Sequence, residues 1–131
     1  MNSDKFLREQ KIMRLATVNS NGVPHVVPVW YLYDGKKFQI GTNTKTVKAR
    51  NVSANKLVAY CIDKGVRSPD IMCHTGRGIA KIITGSEVAK IAESILLLYF
   101  DSMESKRAQE LLDDTDCIIE ITPSNSCEWS Y

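Results

Sequence analysis

Hydrophobic and polar residues alternate along much of the chain, a pattern typical of strands that bury one face. The alternation predicts strands over residues 13–18, 23–33, 37–41, 57–62, 79–84 and 117–122. Apolar positions at helical spacing predict helices over residues 5–12, 46–54, 86–100 and 104–112. Asn-Gly at 21–22 and Asp-Gly at 34–35 are hairpin signals, so the first three strands are expected to form an antiparallel meander. Glycine and proline punctuate residues 64–77, which predicts a loop.

The predicted strand over residues 23–33 is apolar on both of its faces. Neither face of such a strand is suited to contact with water. One face can fill the interior of a small barrel, whose closure removes exposed sheet edges. The other face then needs a helix, a ligand or another subunit to cover it. The apolar run at 95–100 also needs cover, and we therefore predict a mostly β, six-stranded antiparallel barrel with peripheral helices that forms a homodimer.

Composition and charge limit the possible partners. The chain has 131 residues, of which 44% are hydrophobic and 24% charged, as expected for one globular domain over residues 1–131. A net charge of +2 is too small to indicate a nucleic-acid partner. The longest apolar run is far shorter than the ~20 residues that span a bilayer. The first residues lack a signal pattern, so we expect no membrane partner and a cytoplasmic location.

Cysteine and histidine give no clear catalytic or metal pattern. The four cysteines stand at 61, 73, 117 and 127 without Cys-x-x-Cys spacing, which predicts reduced thiols. Cys73 and His74 are adjacent, but neighbouring strand residues point to opposite faces, so we expect no metal site there. The roles of these two residues stay open. The sequence shows no glycine-rich dinucleotide loop, and no catalytic residue is assigned.

The strongest chemical signal is a concentration of positive charge. Residues 35–62 contain six lysines and arginines and no aspartate or glutamate. Within this stretch, threonines surround the predicted start of a helix, and Lys48 lies in its first turn. A helix start offers free N–H groups and a partial positive charge, so these groups together could hold a phosphate. The alternative is a threonine cap with solvated lysines nearby, and spacing alone does not separate the two.

A flat apolar side chain lies close to this candidate phosphate site in the sequence. Trp30 follows a strand interrupted by Pro28, and a proline inside a strand indicates an edge or a bulge. A phosphate site beside an apolar wall suits a flat heterocycle with a phosphate tail. The alternative for Trp30 is ordinary core packing.

Four segments follow one another in a specific order and at specific distances. They are Leu-Ala-Thr-Val at 15–18, Asn-Gly-Val-Pro-His-Val-Val-Pro-Val-Trp at 21–30, Gly-Thr at 41–42 and Thr-Val-Lys-Ala-Arg-Asn-Val at 46–52. Together they resemble the FMN-binding split barrels of the pyridoxamine 5′-phosphate oxidase-like superfamily. Near the end, Pro123 is followed six residues later by Trp129, as in the family's closing strand.

The resemblance implies a dimer with flavin mononucleotide (FMN) in each of two grooves at the subunit interface. It implies that the phosphate is held by Thr42, Thr46 and Lys48, with Gly41 and Asn43 close to the ribityl-phosphate. The isoalloxazine would be lined by one strand and by a residue of the closing strand: Val27, Pro28, Val29, Trp30 and Trp129.

The sequence also departs from the vitamin-making oxidases of this superfamily. Those enzymes carry basic residues where this chain has Val26, Tyr31 and Val47, and they are longer, with an Arg-Leu-His-type motif that is absent here. We therefore expect an FMN-dependent, flavin-reductase-like oxidoreductase acting on a small molecule with a nicotinamide or similar redox partner, and not a true pyridoxamine phosphate oxidase. The alternatives are a non-enzymatic FMN electron carrier and a relative that binds the deazaflavin coenzyme; heme-binding relatives also exist.

Overall fold

A computed structural model describes residues 3–131, which form one seven-stranded antiparallel sheet and four helices. The strands are β1 (Met13–Val18), β2 (Pro24–Val29), β3 (Leu32–Tyr33), β4 (Phe38–Thr42), β5 (Leu57–Lys64), β6 (Met72–Ile83) and β7 (Cys117–Ser130). The helices are α1 (Ser3–Glu9), α2 (Val47–Ala54), α3 (Val88–Leu96) and α4 (Lys106–Asp114). None of these helices is long and apolar enough to cross a bilayer.

The sheet curls into a half-barrel. Its strand order is β2-β1-β5-β6-β7-β4-β3, so β2 and β3 occupy opposite edges although they are consecutive in the chain. Only Trp30 and Tyr31 connect them, so the sheet must bend until its two edges come close together. The prediction of six strands is wrong, because the single strand expected over residues 23–33 is two strands on opposite edges.

The side chain of Tyr99 accounts for this break. The backbone N–H of Tyr31 donates to the Tyr99 hydroxyl at 2.9 Å. The same hydroxyl lies 2.9 Å from the carbonyl oxygen of Lys11 and 3.1 Å from that of Tyr31. A side chain from 68 residues away thus replaces a neighbouring strand at this point. Backbone groups away from water need hydrogen-bond partners. Because the Tyr99 hydroxyl supplies them at Tyr31, the chain can leave one edge of the sheet and join the other there.

Two strands are longer than predicted. β6 begins at Met72, inside the expected loop, and β7 continues to Ser130. Gly76 and Gly78 do not end a strand; they lie inside β6 and allow close packing. A Cβ at Gly76 would lie 2.5 Å from Cζ of Tyr60, and one at Gly78 would lie 2.8 Å from the carbonyl oxygen of Thr122. Only glycine fits such approaches inside a strand.

The core fills the inner face of the half-barrel, and two helices cover part of its outer face. Inside, the largest side chains that are fully removed from water include Phe38, Met13, Leu15, Ile40 and Ile62. Outside, α3 packs Val88, Ala92 and Ile95 against Ile118 of β7. α3 ends at Leu96, so the apolar run at 95–100 is covered only in part, and Leu97 and Leu98 are 47% and 46% exposed.

Candidate functional site

The loop between β4 and α2 forms the predicted phosphate site, and local hydrogen bonds fix its shape. Thr46 is the N-cap of α2, and its side chain accepts from the N–H of Ala49 at 3.4 Å. The Thr46 hydroxyl donates to the carbonyl of Asn43 at 2.8 Å, and it lies 3.2 Å from the Thr42 hydroxyl. The predicted cap is therefore present, and Thr46 is already committed to the loop itself.

The helix α2 is held against the barrel by a buried polar contact. Asn51 donates through Nδ2 to the hydroxyl of Thr17 on β1 at 3.0 Å. Thr17 is fully buried, and Asn51 is 7% exposed. Because a buried polar pair has no water as an alternative partner, this contact fixes the position of α2 relative to β1.

Lys48 is the site's distinctive cation. It is half-buried in the first turn of α2, and burial lowers the pKa of its ammonium group. Within residues 3–131, no carboxylate lies within ion-pair distance of Lys48, and the N–H groups of Val47 and Lys48 have no acceptor. Two unpaired amides and a partly desolvated ammonium form a donor set that suits a phosphate.

Two further residues reach this loop from the start of β7, and sequence reasoning missed both. The carboxylate of Asp116 accepts from the N–H of Thr44 at 2.8 Å and from its hydroxyl at 3.1 Å, and these bonds hold the pKa of Asp116 below its usual range. The thiol of Cys117 lies 3.6 Å from the carbonyl oxygen of Thr42, and burial raises the pKa of this thiol to about 11. The pairing of β4 with β7 brings them here, across a separation of 72 residues that no local motif signals.

Gly41 and Trp30 lie close to the loop but on a face that helices cover. Trp30 is 36% exposed, and its ring stacks on Tyr99 at 4.2 Å between centroids with 5° between planes. Trp30 and Gly41 line a cavity of about 90 Å³ beneath α3 and α4. Ligand pockets usually measure ~300–1,000 Å³, so this cavity is too small for a tricyclic ring. In a single copy of the chain, one face of Trp30 packs against protein.

β2 is an edge strand, as Pro28 predicts. Pro28 is exposed, Val27 is half-buried and Val29 is buried. Val26, which is 68% exposed, lines an open groove of about 570 Å³ on the outer face of the sheet. The groove's other residues lie on β1, β5, β6 and β7 and include Arg14, Ala16, Ala59, Cys61, Arg77 and Cys127.

Trp129 lies far from the loop within one copy of the chain. It pairs with Cys73 on β6, whereas Thr42 pairs with Cys117 at the other end of β7. Trp129 lies twelve residues after Cys117 in the same strand, about 40 Å along the chain at the usual rise per residue. The structure thus brings together Gly41, Thr42, Asn43, Thr46 and Lys48 at the end of β4 and the start of α2. Trp129 lies at the opposite end of β7, and Val27 packs against the core.

His74 has a structural partner inside the barrel. Its Nδ1 lies 3.0 Å from Oε1 of Glu128, directly opposite on β7, and its ring stacks on Tyr60. Glu128 also accepts from the hydroxyl of Ser3, and these contacts hold the pKa of the carboxyl below its usual range. Cys73 contacts Cys61 instead, so the adjacent pair faces opposite sides of the sheet as the strand alternation predicts.

Comparisons with known proteins agree with this architecture. A 5a,11a-dehydrotetracycline/5a,11a-dehydrooxytetracycline reductase of Streptomyces rimosus subsp. rimosus is 36% identical over 72 residues, which are 51% of this chain and 51% of the relative. The chain therefore spans about half the length of that curated relative.

Solved structures share the fold at low sequence identity. A conserved hypothetical protein from Mycobacterium tuberculosis superposes with a TM-score of 0.83 at 20% identity, over 99% of this chain and 84% of the other. An F420 reductase superposes with a TM-score of 0.67 at 21% identity, over 95% of this chain and 94% of the other.

The family model described as pyridoxamine 5′-phosphate oxidase matches residues 2–126. The chain therefore belongs to the pyridoxamine 5′-phosphate oxidase family and has its split-barrel fold.

Proposed function

We propose that this chain binds FMN and is an oxidoreductase of the flavin-reductase type, acting on a small molecule. The observation that carries the proposal is Lys48, a half-buried cation without an acidic partner in the part of the chain that the structure describes, beside two unpaired amides. An anion with several acceptor oxygens would satisfy all three groups at once. The family contains flavin-dependent enzymes, and the Streptomyces relative carries the name of a reductase.

The remaining groups of the loop fit the phosphate end of such a ligand. Asn43 and Thr46 shape the loop through their bonds to each other, and the exposed ammonium of Lys45 adds charge at its rim. When bound, the flavin supplies the electron and hydride transfer chemistry, and the protein's residues bind and orient it. Redox chemistry carried out by the flavin requires no nucleophile from the protein, and we assign no catalytic residue.

The positions that are basic in the vitamin-making oxidases support a different substrate. Tyr31 is 3% exposed, and its hydroxyl donates to the carbonyl of Leu7, so it is unavailable to a phosphate. Val26 and Val47 are exposed but uncharged. With these three positions unable to contribute charge, we infer that the chain does not oxidise pyridoxamine 5′-phosphate.

We further propose that two copies of the chain build each site. Thr42 pairs with Cys117 at the start of β7, whereas Trp129 lies near the end of that strand, so one copy cannot bring both to the same ligand. The open groove of about 570 Å³ on the outer sheet face gives a second copy an apolar surface to cover, including Val26 at 68% exposed. Such a contact would place Trp129 of one copy near the phosphate loop of the other.

A second candidate ligand is the deazaflavin coenzyme. The same loop would hold its phosphate. The superposition with the F420 reductase, which covers 94% of that protein, is the specific observation that favours this alternative. A non-enzymatic electron carrier would need the same site, and only turnover separates it from an enzyme.

The test is to purify the full chain, record its visible spectrum, denature it and identify the released molecule by mass. Released FMN and steady oxidation of a reduced nicotinamide with an added acceptor support the proposal. Released deazaflavin supports the second candidate, and FMN without turnover supports the carrier. Colourless protein that takes up neither coenzyme refutes the proposal, and light scattering at the monomer mass of 14.7 kDa refutes the shared site.

A further inference from the structure

Another large cleft lies between α1, β3 and the segment that follows α3, and we call it the α1 cleft. Its volume is about 510 Å³, within the ~300–1,000 Å³ that is usual for small-molecule pockets. Among the described residues, none that lines the α1 cleft belongs to the phosphate loop or to the outer-face groove, which we propose a second copy covers. The α1 cleft is therefore separate from both. Its walls include Leu7, Lys11, Leu32, Tyr33, Leu98 and Tyr99.

The walls of the α1 cleft are bonded to one another. The Tyr31 hydroxyl donates to the carbonyl of Leu7 at 2.5 Å, which joins the start of β3 to α1. The ammonium of Lys11 donates to the carbonyl of Leu98 at 3.0 Å, and the Tyr99 hydroxyl donates to the carbonyl of Lys11 at 2.9 Å. Because these bonds form without a ligand, the cleft is preorganised and a ligand has little of it to order.

The α1 cleft also contains apolar surface that the chain leaves uncovered. Helix α3 ends at Leu96, and the side chain of Leu98, two residues later, is 46% exposed. Leu32 on β3 is half-buried. A ligand with an apolar body would remove both side chains further from water, and the loss of exposed apolar area favours binding.

The two tyrosines of the cleft favour a ligand with an aromatic ring. The ring of Tyr99 has Trp30 stacked on it at 4.2 Å between centroids, and the Lys11 ammonium lies 5.2 Å from its centroid. The Arg8 guanidinium lies over the ring of Tyr33, 5.7 Å from its centroid. These groups occupy ring faces, so the tyrosines offer a ligand mainly their edges, which carry partial positive charge. The negative face of an aromatic ring complements such edges.

The charges around the cleft leave one cation without a carboxylate partner. Arg8 is paired with Asp4, at 3.6 Å between Nη2 and Oδ2. The carboxylate of Asp34 accepts from two backbone N–H groups of the turn that follows it, at 2.8 and 2.7 Å. Lys11 has no carboxylate within ion-pair distance in residues 3–131. An anionic group on a ligand is therefore best placed at Lys11.

We propose that the α1 cleft is a binding site for a planar aromatic carboxylate. The ligand's ring lies against Leu98 and the edges of Tyr33 and Tyr99, and its carboxylate accepts from the ammonium of Lys11. A neutral ring of the same shape gains the apolar contacts but not the bond to the ammonium. Because Tyr99 stacks on Trp30, an occupied cleft also changes the surroundings of that indole. No part of this proposal requires a bound flavin.

The test is an NMR titration of the isotope-labelled full chain with sodium 2-naphthoate, as purified and again with excess FMN. We expect the backbone amide signals of Leu32, Leu98 and Tyr99 to shift together, along with the indole N–H signal of Trp30. The indole signal of Trp129, on the last strand, should stay in place, and FMN should not change the dissociation constant. Naphthalene-2-methanol has the same ring without the charge and should bind about two- to fivefold more weakly, the range for one exposed ion pair.

Two substitutions test the contacts of the ligand. Lys11→Met keeps the apolar stem and should weaken 2-naphthoate binding about two- to fivefold while leaving naphthalene-2-methanol binding unchanged. Lys90→Met is the matched control, since it removes the same charge from an exposed position on α3 outside the cleft. Leu98→Asp should abolish the binding of 2-naphthoate, because it replaces an apolar contact with a like charge.

The wild-type titration alone can overturn the inference. It fails if 2-naphthoate causes no shifts, if the shifts lie outside the α1 cleft, or if excess FMN abolishes them. Equal affinity for 2-naphthoate and naphthalene-2-methanol, or equal effects of Lys11→Met and Lys90→Met, would overturn the anion preference. An intermolecular nuclear Overhauser effect to Leu98 in a mixed-label sample would show that a second copy covers the cleft, and it would overturn the inference as well.

Discussion

Replacing Lys48 with alanine should weaken FMN binding without weakening the fold. Lys48 makes no ion pair in the described residues, so its removal breaks no contact to a carboxylate. Burial already disfavours its charged form, as the lowered pKa shows. Alanine is also the best helix former, so α2 should keep its first turn. The thermal unfolding midpoint of the ligand-free Lys48→Ala variant is expected to be unchanged or slightly raised.

The size of the binding effect follows from the position of Lys48. A hydrogen bond to a charged group contributes about 1.5–3 kcal/mol. Because Lys48 is half-buried, water screens part of its charge, and the lower part of that range applies. At ~1.4 kcal/mol per tenfold change, the dissociation constant should rise about 10- to 30-fold.

The assay is a titration of FMN fluorescence quenching with purified ligand-free protein. Lys45→Ala is the matched control, since it removes the same charge from an exposed position in the same loop. It should produce a clearly smaller loss, because exposed charges are screened by water and salt. Equal dissociation constants for wild type and Lys48→Ala would refute the assignment of the phosphate to this loop. Equal losses for the two variants would refute the larger contribution of Lys48.

The pH dependence of the same titration gives an independent check on Lys48. Its pKa in the folded protein is lowered, chiefly by burial, and phosphate binding needs the ammonium form. FMN affinity should therefore fall as the pH rises through this lowered pKa, and Lys48→Ala should lack that step. The free energy of unfolding of the ligand-free protein should rise over the same pH range, because the unfolded state holds the Lys48 proton more tightly. A fall in both the FMN affinity and the free energy of unfolding would contradict the reasoning.

Three further substitutions probe the elements that hold the site. Asn51→Ala should lower the free energy of unfolding by about 1–3 kcal/mol, measured with urea, because the buried hydroxyl of Thr17 loses its donor. Gly76→Ala should lower it by about 1–3 kcal/mol in the same assay, since the new Cβ would overlap the ring of Tyr60. Asp116→Asn should strengthen FMN binding in the fluorescence titration, because it removes a negative charge from the phosphate loop; weaker binding would show that this carboxylate helps to hold the ligand.

Local signals in the sequence predicted those parts of the fold that local interactions determine. The Asn-Gly turn between β1 and β2 is present, with Gly22 at a φ of +81°. The helix over residues 46–54 is present as α2, with Thr46 as its cap. In each case the residues that form the turn or helix also supply its hydrogen bonds, so the local sequence is sufficient to predict the element.

The errors occurred where a distant residue decides the structure. Tyr99 supplies the hydrogen bonds that let the chain leave one sheet edge at Tyr31 and join the other. Gly76 resembles loop punctuation in the sequence, but it lies in the middle of β6 because the ring of Tyr60 occupies the space of its Cβ. Neither effect has a signature within a short window, because each depends on which strand becomes a neighbour.

The candidate site also combines local signals, which the sequence predicts, with a contact from a distant residue, which it does not. This contact affects which donors are free to bind a ligand. The acid-free stretch over residues 35–62 predicts an uncompensated positive loop, yet Asp116 adds a carboxylate to it through the pairing of β4 with β7. That carboxylate accepts from the N–H of Thr44, whereas the N–H groups of Val47 and Lys48 have no acceptor among the described residues. The donors that stay free are those of the first turn of α2. If a phosphate binds there as we propose, Lys48 is its one half-buried cation and Lys45 lies only at the exposed rim, so Lys48 should contribute more to binding than a count of the surrounding lysines suggests.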